Sequence, residues 1–401
     1  QTESTPAGTL ATDLVEGKEL AEQQKQEETA EAEATWNEDL GLWMTSKGAT
    51  GVKDEYDDGY VAGEQTPAQY YFSIDSLTNE ISIEYGDAGI TTLEVPSTID
   101  DKNVVSLTGM GSAALTSITF APNSHVRSVG GLGGSSIKEI ALPDSVEELK
   151  SYAFYKSKTL QTVTWPNNAA FTTIPEQAFK ECEQLDDKVV ATLPPSVKTI
   201  DYLAFAYCGV PQFYVSDTTV LTFTQINVPG TVERIERNAF DGCSHVSSVT
   251  IGDGVKYIGA HAFASLDPAI AGKEIVLPKS VEMIEWGAFE NTRYGNETNH
   301  NAVALRVMNP DLQFGEAGYP GDYNERVTID GVTYAIPFSE GQTIYAYATD
   351  SAGNPSMVKK LADAVADRKD SVDSSKPAYT FEWMGEAAQV TGKLPQSATA
   401  T

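Results

Sequence analysis

The chain has 401 residues, 41% of them apolar, which is enough to bury a large core, and a formal net charge of -30 that repels nucleic acid and anionic membrane surfaces. No run of about 18 apolar residues occurs, so no bilayer-spanning helix is expected.

Residues 1 to 48 are acidic and rich in Glu, Gln, Ala and Lys. Leu14, Val15 and Leu20 are too sparse for a continuous buried face, so the segment is read as helix-prone or disordered. Gln1 in place of Met and the polar opening fit a mature product whose export signal has been removed, and a trimmed chain would start the same way. Trp36, Leu40, Leu42, Trp43 and Met44 form one apolar cluster, placed to dock on the first coil. Asp54-Glu55-Tyr56-Asp57-Asp58-Gly59 lacks the Asp-x-Asp-x-Asp-Gly order of a calcium loop and reads as an acidic turn. Tyr70 to Tyr85 alternates apolar and polar residues about Leu77-Thr78-Asn79, a β-hairpin within an N-terminal cap of residues 49–89.

From residue 90 to 350 the chain repeats. Six Ala-Phe pairs end at Phe154, Phe179, Phe205, Phe240, Phe263 and Phe289, so the phenylalanines stand 25, 26, 35, 23 and 26 residues apart. A period of roughly 20 to 30 residues is that of a solenoid. Ile90-x-x-Leu93-x-Val95, Leu115-x-x-Ile118-x-Phe120, Ile137-x-x-Ile140-x-Leu142, Leu160-x-x-Val163-x-Trp165, Phe223-x-x-Ile226-x-Val228 and Val246-x-x-Val249-x-Ile251 carry an L-x-x-L-x-L strand signature. A second apolar pair follows, as in Val197-x-x-Ile200 and Val281-x-x-Ile284, so each coil turns three apolar edges inward.

Cys182, Cys208 and Cys243 each stand three residues after a repeat phenylalanine, on one buried stripe. Pairing of Cys182 with Cys208 is left open, and no histidine shares the stripe to suggest zinc. Val327 to Tyr334 reads as an Asp-Gly hairpin, Ile344 to Tyr347 as a last strand, and Met357 to Arg368 as a helix within a C-terminal cap of residues 351–385. Residues 386–401 have little to bury and are read as a flexible tail.

The phrase Leu-Pro-x-Ser-Val-x-x-Ile-x-x-x-Ala-Phe-x-x-Cys, carried by Leu193 to Ala204, Val228 to Cys243 and Leu277 to Phe289, resembles the BspA-type leucine-rich repeat family of bacterial surface proteins. The first two coils depart from it, with Gly109, Gly111, Gly130, Gly131, Gly133 and Gly134 in place of Ala-Phe. The resemblance implies a leucine-rich repeat solenoid, a right-handed α/β-type superhelix with one parallel β-sheet face and short or irregular convex segments, a hairpin cap at the start and a helix cap at the end. It also implies a protein that is secreted or attached to the cell surface and acts in adhesion or recognition of a host or bacterial surface protein or a glycan.

Four histidines, His125, His245, His261 and His300, fall in different coils without a nucleophile motif, so no catalytic residue, cofactor or metal site is assigned. Candidate ligand contacts are outward strand positions Thr162, Thr164, Gln225, Asn227 and Thr250 and the aromatics Phe213, Tyr214, Tyr294, Tyr319 and Tyr323 of inserted loops. The expected function is that of a non-catalytic extracellular binding or adhesion module, with a structural spacer as the alternative and a glycan-degrading enzyme as a distant third.

Overall fold

The computed structural model describes residues 35–37, 42–45, 48–49, 70–86, 89–210, 221–267, 270, 273–290, 303–316, 326–371 and 373–385. Each coil begins with a strand of three to five residues whose alternate apolar side chains point into the core, and these strands form a front ladder. Its strands are Thr92–Val95, Ser117–Phe120, Glu139–Ala141, Thr162–Thr164, Gln225–Val228, Ser248–Ile251, Glu274–Leu277, Ala304–Val307, Thr343–Tyr347 and Thr380–Met384. Every pairing along it is parallel, as sequential coils of one hand require.

The expectation of a single sheet face is corrected by a second parallel ladder along the side of the stack. Ser128–Val129 pairs with Lys102–Leu107 on one flank and Glu148–Leu149 on the other. A further run links Thr173–Ile174, Thr199–Ile200, Arg234–Ile235, Tyr257–Ile258, Met283–Ile284 and Gln313–Phe314. The strands of that run are two residues long, and both apolar residues of each pair, Val197 and Ile200, Val232 and Ile235, Val255 and Ile258, are fully buried.

The third side is built from the Ala-Phe turns. Here the backbone N–H of each phenylalanine donates to the carbonyl of the next coil's alanine: Phe154 to Ala178, Phe179 to Ala204, Phe205 to Ala239, Phe240 to Ala262 and Phe263 to Ala288, at 2.7 to 2.8 Å. Behind these bonds the rings form one column. Consecutive centroids from Phe154 to Phe289 are 5.1, 5.2, 5.4, 5.3 and 5.1 Å apart, with interplanar angles of 13° or less. Each such pair adds about 0.5 to 1.5 kcal/mol beyond the area it buries. The 35-residue gap between Phe205 and Phe240 leaves their spacing unchanged, so the extra residues leave the column intact.

The cysteine stripe is buried as read, and its three thiols are free. Each Sγ donates to a phenylalanine carbonyl of the preceding coil: Cys182 to Phe154, Cys208 to Phe179 and Cys243 to Phe205, at 3.1 to 3.2 Å. Ser157, in the same slot, makes the corresponding bond to the Leu132 carbonyl at 2.9 Å. Leu132 thus takes the phenylalanine position in the glycine-rich coil, which is one residue shorter. Gly131 and Gly134 there hold the two left-handed positions, at φ of 62° and 73°.

The front strands pair in four separate runs, and at one of the breaks a coil carries a helix in place of the strand. Between Thr162–Thr164 and Gln225–Val228 the chain forms a four-residue helix, Lys188–Ala191. Leu185 and Leu193 are eight residues apart, whereas Leu160 and Trp165 are five apart. The three extra residues are taken up as a helical turn that buries Val189 and Val190, and the Trp165 indole N–H donates to the Val189 carbonyl at 3.1 Å.

At the start, Tyr70–Ile74 and Ile81–Gly86 form the expected antiparallel hairpin, and its second strand pairs in parallel with Lys102–Leu107. The Asp-Gly hairpin is also present, Arg326–Ile329 against Val332–Ala335, with Asp330 and Gly331 at φ of 52° and 84°. The helix runs Met357–Ala364, four residues short of the expected end, and turns Val358 and Leu361 inward. It lies within the crossover from Thr343–Tyr347 to Thr380–Met384, so the last strand is the outermost element of that sheet. Near the N-terminus, where helix or disorder is expected, Thr35–Asn37, Leu42–Thr45 and Gly48–Ala49 form a small antiparallel sheet with Trp36 opposite Trp43. Tryptophan and threonine favour extended backbone there over helix. The side chains of the Trp36 to Met44 cluster, the Asp54 to Gly59 turn, His300 and the tail 386–401 lie outside the described residues.

Candidate binding surface

The outward positions of the front ladder are in solvent. Thr162, Thr164, Gln225 and Thr250 are exposed and Asn227 is half-exposed, in alternation with buried Val163, Ile226 and Val249. Register brings Asn227 beside Thr250 and Gln225 beside Ser248. Thr162 and Thr164 stand beside Glu139 and Ala141, on the far side of the helix Lys188–Ala191, so the five positions form two groups rather than one. The loop aromatics Phe213, Tyr214, Tyr294, Tyr319 and Tyr323 lie outside the described residues.

The same face changes character toward its C-terminal end. Register places exposed Val276 beside Arg306 and Arg306 beside Tyr345. The Arg306 guanidinium forms a bidentate pair with Glu274, both contacts at 2.7 Å, and lies 4.6 Å from the Tyr345 ring centroid. That pairing holds the Glu274 carboxylate below its ordinary pKa and raises Arg306 above its own. Met384 Sδ lies 3.2 Å from Arg306 Nη1. Arginine, tyrosine and methionine are the residue types that protein interfaces concentrate, and here they sit on rigid strand backbone.

Aromatic residues also stand on the turn side. Tyr152, Tyr202 and Tyr207 are exposed, and Tyr155 is flanked by Lys156 and Lys180, whose Nζ atoms lie 5.0 and 5.8 Å from its ring. Their placement follows from the turn. Among the described residues, the residue two before each repeat phenylalanine and, from Phe154 to Phe263, the residue two after it occupy left-handed backbone, among them Tyr152, His261 and Tyr207 at φ of 61°, 55° and 57°.

Of the described histidines, two have contacts that place them in separate coils. His125 Nδ1 lies 3.3 Å from the Ser97 carbonyl oxygen. The His261 ring packs edge-on against Trp286 at 4.2 Å, with Nδ1 3.5 Å from Glu290 Oε2. Burial lowers the pKa of His261 and raises that of Glu290, which nearby Asp241 raises further, so burial works against the charged form of each. Among the described residues no three His, Cys, Asp or Glu side chains are grouped to hold a metal ion, and no helix is long and apolar enough to cross a membrane.

A family model for the BspA type leucine-rich repeat region matches residues 110–221 and 218–301, in six copies. Among solved structures, the chain is similar to the pneumococcal vaccine antigen PcpA, at 17% identity over 78% of this chain and 96% of that one, with a TM-score of 0.32. It is similar to a T. pallidum leucine-rich repeat protein at 18% identity, over 63% of this chain and 86% of that one, with a TM-score of 0.30. A leucine-rich repeat protein from Bacteroides ovatus matches at 14% identity over 82% and 100% of the two chains, with a TM-score of 0.25. No curated protein matches the sequence.

Proposed function

Residues 110–301 are a BspA-type leucine-rich repeat region, and on that premise we propose that the chain is a non-catalytic binding or adhesion module, secreted or held at a bacterial cell surface, that recognises a protein or glycan through the front face and its inserted loops. The observation that carries this reading is the row of outward side chains Val276, Arg306 and Tyr345, held in register on the hydrogen-bonded strands Glu274–Leu277, Ala304–Val307 and Thr343–Tyr347. Such side chains are preorganised, so little ordering entropy is lost on binding.

In the same reading, residues 90–350 are the array and residues 49–89 and 351–385 its caps, with 1–48 and 386–401 as flanking segments. The winding is taken as right-handed, the hand that parallel strand crossovers adopt. The Tyr70 to Gly86 hairpin and the Met357–Ala364 helix are taken to close the two ends of the apolar interior, which the buried Phe72, Val358 and Leu361 support.

Binding of the full chain to a panel of purified extracellular-matrix proteins and to a glycan array tests the function. Saturable binding weakened about tenfold or more by Tyr345→Ala, Tyr214→Ala or Tyr294→Ala, a loss of at least about 1.4 kcal/mol, supports recognition. Silence across both panels favours a spacer that presents another element.

A further inference from the structure

Among the described residues the front strands end at Thr380–Met384. Thr380–Met384 pairs in full parallel register with Thr343–Tyr347, and no described strand pairs with its other edge. The Thr380 N–H donates inward to the Gln342 carbonyl at 3.0 Å. By the alternation of a parallel ladder, the N–H and C=O groups of Phe381 and Trp383 therefore point away from the sheet. Natural edges are usually blunted by proline, lysine, a bulge or a covering element. This strand has none of the first three, and its one charge is Glu382.

Its side chains are also incompletely covered. On the core side Phe381 is half-buried and Trp383 is 40% exposed, their rings stacked at 6.1 Å and 9°. Lys359 Nζ lies 5.9 Å from the Trp383 ring. On the outer side Glu382 is exposed beside Tyr345. A strand added here would need apolar residues opposite Phe381 and Trp383 and a residue complementary to Glu382 between them.

We propose that the outer edge of Thr380–Met384 is a docking site for an extended segment of a partner protein, added in parallel and patterned apolar, basic, apolar. Charge selects this occupant. A second copy of the chain would bring another net -30 to the edge, whereas a basic residue meets Glu382 directly across the pair. The site is separate from the front-face contacts proposed above, so either can fail alone.

The test uses the full chain carrying Gly385→Cys, a position where an added Cβ meets nothing within 4 Å. The three native thiols are fully buried, so only the introduced thiol reacts. A peptide Thr-Val-Lys-Val-Thr-Gly-Gly-Cys is linked through its C-terminal cysteine, which permits parallel addition at an effective concentration in the millimolar range. The expected result is slowing of amide exchange at Phe381 and Trp383 by about tenfold, with a smaller effect when Glu replaces Lys and none when Pro replaces both Lys and the Thr after the second Val, the two residues whose N–H groups face the edge. Equal exchange with all three peptides, full protection of these amides before linkage, or dimerisation of the unlinked chain at micromolar concentration overturns the proposal.

Discussion

Lys156 occupies left-handed backbone at φ 59°, which costs a residue with a Cβ roughly 1 to 2 kcal/mol, and its one ion pair, to Glu181, is a partly exposed contact at 3.7 Å. Lys156→Gly is therefore expected to leave the melting temperature unchanged or slightly raised, while Lys156→Val lowers stability by about 1 to 2 kcal/mol, read by thermal denaturation. Glycines at the equivalent positions Gly134 and Gly242 show the same requirement met without strain. The fixed slot before Ala-Phe was legible as a position that accepts His261, Leu203, Asn238 and Gly287. That its side chain is tolerated because its backbone is constrained was not, since a left-handed φ leaves no mark on residues other than glycine. Glu290 gives a residue-scale test in pH. Its folded pKa is raised by burial, so its charge costs stability at neutral pH, and the cost disappears as pH falls through that pKa toward the ordinary glutamate value. Glu290→Gln should raise the melting temperature at pH 7 by a few degrees, given about 2 to 4 °C per kcal/mol, with the gain shrinking to nothing near pH 4. The opposing charge penalty on His261 is common to both proteins and cancels to first order.

At the scale of elements, the terminal helix depends on its cap. The Ser356 hydroxyl accepts from the Lys359 N–H at 3.1 Å and donates to the Tyr347 carbonyl at 2.7 Å, joining the helix to the last array strand but one. Ser356→Ala removes both bonds from a buried site and is expected to cost about 1 to 2 kcal/mol, measured by denaturant unfolding. The front strands were legible because L-x-x-L-x-L imposes a period of two over enough residues to stand out. The side ladder was not, because two-residue strands such as Thr199–Ile200 and Tyr257–Ile258 are too short to show a period. Extending the outward-position rule past Glu274 reaches Arg306, Tyr345 and Tyr347, so that part of the binding surface was available in the sequence. The break at Lys188–Ala191 was visible only as a spacing of eight where five is usual, and spacing alone does not say whether extra residues loop out or coil.

Across the whole molecule, stability is distributed: each coil buries its edges against the next, and the phenylalanine column from Phe154 to Phe289 runs through six coils without a gap. The period, the buried cysteines and the solvent-facing threonines could all be read from the chain because a repeat states the same constraint several times. The ligand could not, because binding residues need to occur only once. If the column is one structural unit, damage at one ring has to be felt beyond its own coil. Amide exchange at Phe179, Phe205 and Phe263, compared between the natural chain and Phe240→Ala, tests this directly, with a truncation cost of about 3 to 5 kcal/mol to be transmitted. A continuous column predicts that protection falls at all three amides together. A fall at Phe205 and Phe263 only slightly above error, with Phe179 unchanged, would contradict it.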